Sequence, residues 1–412
     1  MAILNSDRMR AVPVPDSGTA WLRLAATVLI ATVGGVGMWS VVVALPVVQA
    51  EFGVSRAEVS LAFTLTMIGA ATGGVIMGRL LDRAGILPVL LIGAALLAVG
   101  YVGAGHAGSF LTYAIAHAVI GFGSSMSLGP LMADISHWFV RRRGVAVTLT
   151  SAGNYVAGAV WPPIVQHFIA SVGWRATHAG IGIVSAVLVV LIALVAMRGR
   201  APERGAVAIA DQPKNATGAL GLSLFSLQVL LSVAAVGCCV AMSTPQVQIV
   251  AYCGDLGYGV ARGAEMLSLM MALGIVSRIG FGFIADRVGG LRTLLLGSVL
   301  QGTALLLYLF YNGLISLYVV SALFGLFQGG IIPCYAIIVR EYFPPQQAGA
   351  RLGFILMASM FGMAFGGWLS GWIFDLTGSY AAAFLNGLGF NALNGAIVLW
   401  LLYRRRASMA YA

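Results

Sequence analysis

Charge is scarce in this chain of 412 residues: nine per cent of it is Asp, Glu, Lys or Arg. A soluble domain carries about 25%. Lysine is nearly missing, with Lys214 standing alone against 22 arginines, and only 13 residues are acidic. Those acids (Asp7, Asp16, Glu51, Glu58, Asp82, Asp134, Glu203, Asp211, Asp255, Glu265, Asp286, Glu341 and Asp375) all fall in loops, termini or helix ends. No carboxylate is therefore expected deep in an apolar segment, to hold a cation or relay a proton. The four cysteines, Cys238, Cys239, Cys253 and Cys334, form no metal-ligand spacing and no disulfide framework. No nucleophile motif or phosphate-binding loop is found, so an enzyme is not expected, and neither a cofactor nor a metal is called for.

What is present is hydrophobic. Sixty per cent of the residues are apolar and the mean hydropathy is +0.95, so the solvent for most of the chain is lipid. A helix that crosses the hydrocarbon layer needs roughly 20 mostly apolar residues. Twelve such runs can be marked: 20-49, 58-80, 86-105, 109-133, 144-170 and 175-197, then 221-253, 262-284, 291-311, 314-339, 348-372 and 380-403. The expected fold is an all-α membrane protein of twelve transmembrane helices in two six-helix halves. Residues 1-19 form an N-terminal tail, 20-197 the first bundle, 198-220 a linker, 221-403 the second bundle and 404-412 a C-terminal tail. Spans one and seven are long, and Gly34, Gly35 and Gly37 in the first and Pro245 in the seventh are the expected points of bending.

Placing both termini inside puts 19 of the 23 basic residues on the cytoplasmic side, which the positive-inside rule favours. Only Arg56, Arg175 and Arg262 then lie outside, and Arg278 lies within a span. A net charge of +10 follows from this bias toward an anionic inner leaflet, so nucleic acid is not an expected partner. The expected location is the cytoplasmic membrane, as a monomer, and the wealth of Arg, Ala and Gly suggests a bacterial source.

One short phrase occurs twice. Gly78-Arg79-Leu80-Leu81-Asp82-Arg83-Ala84-Gly85 returns as Gly282-Phe283-Ile284-Ala285-Asp286-Arg287-Val288-Gly289, about half a chain later. Each copy sits in a polar gap between apolar runs, which marks an internal duplication, and duplicated membrane bundles are mostly transporters. The glycines permit tight turns, while the Asp is suited to cap the next helix or to pair with an Arg of the neighbouring bundle, as in a gate. Gly78, Asp82, Arg83, Gly85, Gly282, Asp286, Arg287, Gly289 and the run Arg141, Arg142, Arg143 are the candidate gating residues.

On these residues the chain resembles the major facilitator superfamily, whose signature between helices two and three is Gly-x-Leu-x-Asp-Arg-x-Gly followed by basic residues; here Ile86 and Leu87 follow the first copy. A narrower resemblance is to the monocarboxylate and oxalate/formate-type transporters. It rests on His137-Trp138-Phe139-Val140-Arg141-Arg142-Arg143-Gly144-Val145-Ala146 with Ser151-Ala152-Gly153, on Gly371-Trp372-Ile373-Phe374-Asp375-Leu376-Thr377-Gly378-Ser379-Tyr380, and on Ser277-Arg278-Ile279-Gly280-Phe281-Gly282. The last places an arginine in helix eight where these families keep their substrate arginine. Many monocarboxylate transporters also carry a lysine after a proline in helix one and an aspartate one turn before that arginine. Here those positions are Val47, after Pro46, and Gly274. The second basic residue of oxalate-type transporters aligns with Ser359.

Arg278 lies eight residues before Asp286, or about 12 Å below the loop at 1.5 Å per residue. A guanidinium at that depth needs a wet cavity and partners, and its planar fork suits a carboxylate. Asn154, Tyr155, Gln246, Gln248 and His117 are the further candidates for lining a binding cavity, and His167 is a second titratable histidine. The expected function is a carrier of a small organic anion, a monocarboxylate foremost, working by rocker-switch alternating access with a proton or counter-anion as a candidate coupled partner. The alternatives are an efflux pump for drug-like compounds and a membrane sensor that binds a carboxylate without moving it.

Overall fold

The computed structural model describes residues 15–199, 221–344 and 346–410. Residues 1–14 of the expected tail, 200–220 of the expected linker, Pro345 and 411–412 lie outside the described residues.

The first half is built from α1 (Gly18–Gly34), α2 (Val36–Phe52), α3 (Arg56–Ala84), α4 (Ile86–Gly105), α5 (Phe110–Ser124), α6 (Gly129–Ile135), α7 (Arg143–Val172) and α8 (Trp174–Ala196). The second contains α9 (Leu224–Asp255), α10 (Val260–Val288), α11 (Gly290–Leu307), α12 (Gly313–Gln328), α13 (Ile331–Tyr342), α14 (Ala348–Thr377) and α15 (Tyr380–Ala410). Joining α1 to α2, α5 to α6 and α12 to α13 gives twelve crossings. Eleven are long and apolar enough to span a membrane. The twelfth, α7, has the length, but Asn154, Trp161, Pro162, Pro163, Gln166 and His167 lower its hydropathy. Large apolar side chains such as Leu22, Val99, Val195, Phe225 and Ile315 are more than half exposed on the outer faces, where lipid takes the place of a protein neighbour.

The break in the first crossing falls at Gly35, one of the expected positions. α9 instead runs unbroken through Pro245, whose missing N–H costs a single intrahelical bond. The fourth crossing of each half is interrupted, at Ser125–Ser127 in one and at Gly329 and Gly330 in the other. Both halves also press their second crossing onto their fourth without room for a side chain. A Cβ on Gly121 would stand 2.0 Å from the Thr66 carbonyl oxygen, and one on Gly325 would stand 2.2 Å from that of Met270. Small residues allow such backbone approach where lipid supplies no hydrophobic drive between helices. α15 continues to Ala410, so the Arg404 to Arg406 run extends a helix rather than following it.

The halves meet along a seam formed by α3 against α14, α7 against α10 and α2 against α9. Because α3 and α10 each end in a copy of the Asp-Arg phrase, the seam has a motif end and an opposite end.

Candidate functional site

Arg278 lies on α10 and reaches across the seam to α7. Its guanidinium carbon stands 4.0 Å over the centre of the Tyr155 ring, and Nη1 donates to the Ser151 hydroxyl at 3.2 Å. Nε is buried without a partner. Among the described residues no carboxylate pairs with this arginine. The side chain therefore points into the join between the halves and away from lipid, with its charge held by a π face and one hydroxyl.

The other candidates are placed differently. Asn154 is half-buried one position before Tyr155, and its backbone oxygen accepts from the Trp39 indole at 3.2 Å. Gln246 is buried on α9 with its Oε1 unpartnered. Gln248 is also buried, but its amide is engaged: Nε2 donates to the Ser370 hydroxyl at 3.1 Å and lies 3.4 Å from both Ser60 Oγ and the Gly367 oxygen. Those partners come from α14 and α3, so Gln248 stitches the seam. His117 sits inside the first half, its Nδ1 3.3 Å from Thr66 Oγ1 and its ring 4.5 Å from Tyr113 and 5.7 Å from His178. The structure thus brings Tyr155 to Arg278, while His117 belongs to an aromatic cluster within one bundle. His167 is exposed beside Phe168.

At the motif end the charged residues of the repeated phrase, candidates for a gate, are exposed. Asp82 caps no helix, contrary to one expectation; it and Arg83 complete the last turn of α3, and the chain turns at Gly85 with φ +79°. Gly289 repeats that turn at φ +84° after Asp286 and Arg287. All four charged residues are exposed, and none forms a salt bridge among the described residues. Gly78 and Gly282 are half-buried, and a Cβ on either would meet nothing. In the second copy Glu341 of α13 caps the following helix, accepting from the Gly290 N–H at 2.9 Å. Arg141, Arg142 and Arg143 are exposed. Asp16 accepts from the backbone N–H groups of Arg141 and Val140, and the Arg141 bond is the main cause holding its carboxyl below the usual range. Arg142 lies over the Trp21 ring, and Arg143 reaches the Ser136 hydroxyl at 3.4 Å.

The opposite end carries a charged cluster that the sequence reading did not single out. Arg56, at the start of α3, is 6% exposed. Its Nη2 donates to Asp255 at 2.9 Å and its Nη1 to the Tyr380 hydroxyl at 3.0 Å, while Tyr380 donates to the same Asp255 oxygen at 2.6 Å. Asp375, in the last turn of α14, accepts from the backbone N–H groups of Arg56 and Ala57 at 2.9 and 2.7 Å. The first turn of α3 leaves such groups without intrahelical partners, and the opposite half supplies the acceptor. Asp375 and Tyr380 belong to the phrase after helix eleven, and the clue was that Arg56, Asp255 and Asp375 all end spans on one side. Further along the seam Thr64 donates to the Ala364 oxygen at 2.9 Å, and Ser268 donates to the Ala159 oxygen.

A buried ion pair was likewise missed within the first half. Arg23 Nε and Nη2 donate to the two oxygens of Asp134 at 2.9 and 3.1 Å, and both side chains are less than a tenth exposed.

Comparison with known proteins agrees with this architecture. The sequence model of the Major Facilitator Superfamily matches residues 27–316 and 275–411. The chain is 26% identical over 392 residues to monocarboxylate transporter 13 of Rattus norvegicus, covering 94% of this chain and 90% of that protein. It is 25% identical over 406 residues to monocarboxylate transporter 11 of Homo sapiens, covering 93% and 82%. It is also 24% identical over 395 residues to the MFS-type transporter pynF of Aspergillus niger, covering 94% and 89%. A solved bacterial homolog of the human lysosomal transporter Spinster, in an inward-facing and occupied conformation, superposes with a TM-score of 0.67 at 15% identity, covering 94% of this chain and 95% of that one. Because the family match extends through both halves and the fold is that of a solved transporter, this multi-pass membrane chain belongs to the Major Facilitator Superfamily.

Proposed function

We propose that this transporter is a secondary carrier of a small organic anion, a monocarboxylate, and that it works by alternating access across the cytoplasmic membrane with the motif end facing the cytoplasm. The observation that carries the reading is the free edge of Arg278. Nη1 is used by Ser151 and one face by Tyr155, whereas Nε and Nη2 have no partner among the described residues. Those two N–H groups form the side of the guanidinium that grips a carboxylate with parallel bonds. The molecule displays that grip at Arg23, whose Nε and Nη2 hold Asp134. One uncompensated cation matches one carboxylate, and two of the relatives above are named monocarboxylate transporters.

The cross-seam bonds support a state open toward the motif end. They run from Arg56 and Asp375 at the opposite end through Gln248 and Thr64 toward the middle, and on α7 and α10 from Ser268 to Arg278. The arginine density at the motif loops supports an inner-leaflet position for that end.

Uptake of labelled two- to four-carbon monocarboxylates into proteoliposomes tests the reading. Arg278→Lys keeps the charge but loses the fork, so uptake should fall roughly 10- to 100-fold, the loss of charge-assisted hydrogen bonds, while the protein still inserts. Near-normal uptake by that variant would remove the assigned role.

A further inference from the structure

We propose that Tyr155 is a positioning residue: its ring, admitted by the missing side chain at Gly274, holds the Arg278 guanidinium so that the Nε and Nη2 edge faces an incoming carboxylate. This rests on the reading of Arg278 as the anion site and adds how that site is held and aimed.

Three contacts make the socket, and none is acidic. The Tyr155 ring lies under the guanidinium at 4.0 Å. Ser151, one helical turn before Tyr155 on α7, takes Nη1. Gly274, one turn before Arg278 on α10, leaves the space that the ring fills. A Cβ there would stand 2.4 Å from Tyr155 Cε1 and 2.6 Å from Cδ1, so any larger residue displaces the ring. Tyr155 is itself buried. The neighbouring contact is similar, since a Cβ on Gly158 of α7 would stand 2.5 Å from Met271 of α10. The ring is thus fixed by backbone on one side and lies against the guanidinium on the other.

A carboxylate in that position would take the same guanidinium edge that a substrate needs, as Asp134 does at Arg23. A π face attracts the cation without occupying its in-plane donors. Stacking and the Ser151 bond together restrict a long side chain that would otherwise sample many rotamers, which lowers the ordering cost of binding. Tyr155 and Ser151 come from the first half and Arg278 from the second, so the aim of the arginine depends on the register of α7 against α10.

Transport kinetics of three variants in proteoliposomes, with a labelled monocarboxylate and the amount of inserted protein measured, test the role. Tyr155→Leu should raise KM about 10-fold with little change in kcat, in line with a desolvated cation–π contact. Tyr155→Phe keeps the ring and should stay within about 2-fold of the parent. Gly274→Ala should raise KM as Tyr155→Leu does, and the double variant should be no worse than Tyr155→Leu alone, because both changes remove one contact. An unchanged KM in Tyr155→Leu overturns the proposal, as does a fall in kcat alone or a Phe variant as impaired as the Leu variant. If Arg278→Lys is inactive while Tyr155→Leu is normal, only the positioning role is lost. If Arg278→Lys transports normally, the anion site falls with it.

Discussion

At one end of the seam Arg56 gathers Asp255 and Tyr380, and Asp375 accepts two backbone N–H groups from the other half. At the other end Asp82, Arg83, Asp286 and Arg287 stand exposed without a salt bridge among the described residues. The conspicuous repeated phrase thus adds no salt bridge among the described residues, and the cross-seam bonds at the other end are made by residues that no repetition marks. Ion pairs that bridge two moving bodies act on an equilibrium between arrangements, because they exist in one arrangement and are broken in the other. If the halves move as proposed, this bonded end sets how strongly the described arrangement is favoured. On the alternating-access reading proposed above, the motif end would form its contacts when the halves rock the other way.

Removing the arginine should disturb this contrast most. In Arg56→Gln the closed end loses its charged hydrogen bond to Asp255, worth about 2 kcal/mol for a half-exposed partner. That corresponds to a shift of roughly 30-fold toward opening at that end. A thiol introduced by Ser60→Cys, at a position now fully buried, should then label from the Arg56 side of the membrane faster by about that factor. Labelling at the parent rate would break the comparison. Asp375→Ala should act in the same direction but more weakly, about 5-fold, because it removes a helix cap worth about 1 kcal/mol. Equal effects of the two variants would mean that the arginine does not dominate the closed end. Asp82→Asn should leave labelling of that thiol nearly unchanged, since Asp82 forms no salt bridge among the described residues, while slowing turnover a few-fold with equilibrium binding held. Turnover at the parent rate would remove the gating role of the motif.

Much of the fold could be read from the sequence because lipid imposes a coarse rule: every span must be long, apolar and internally hydrogen-bonded. The break at Gly35 was legible for the same reason, as a surplus of length beside glycines. Pro245 was not a break, because one absent N–H is tolerated in the stretch of α9 from Gly237 to Cys253, which is buried on all sides. The depth of Arg278 was also legible, being a count of residues from the loop. What it touches was not, since Tyr155 lies more than 120 positions away and meets it only through the crossing of α7 and α10. Gln248 shows the limit. A glutamine in an apolar helix announces a polar partner, but the sequence does not say whether that partner is cargo or the hydroxyls of Ser60 and Ser370. His117 shows it again, its face turned to Tyr113 and His178 within one bundle. Arg56 was hidden because an arginine at a helix start ordinarily reaches water. Its burial comes from α14, where a Cβ on Gly371 would stand 2.8 Å from the Arg56 oxygen.

The first turn of α3 borrows the acceptor for two of its amides from Asp375, which belongs to the other half. Under the proposed alternating access, those amides would pass to water when the halves part there and return to the carboxylate when they close. On the proposed carrier reading, the Ser55–Glu58 capping box keeps the helix start formed while the Asp375 bonds are made and broken, so the beginning of α3 would register which way the halves stand.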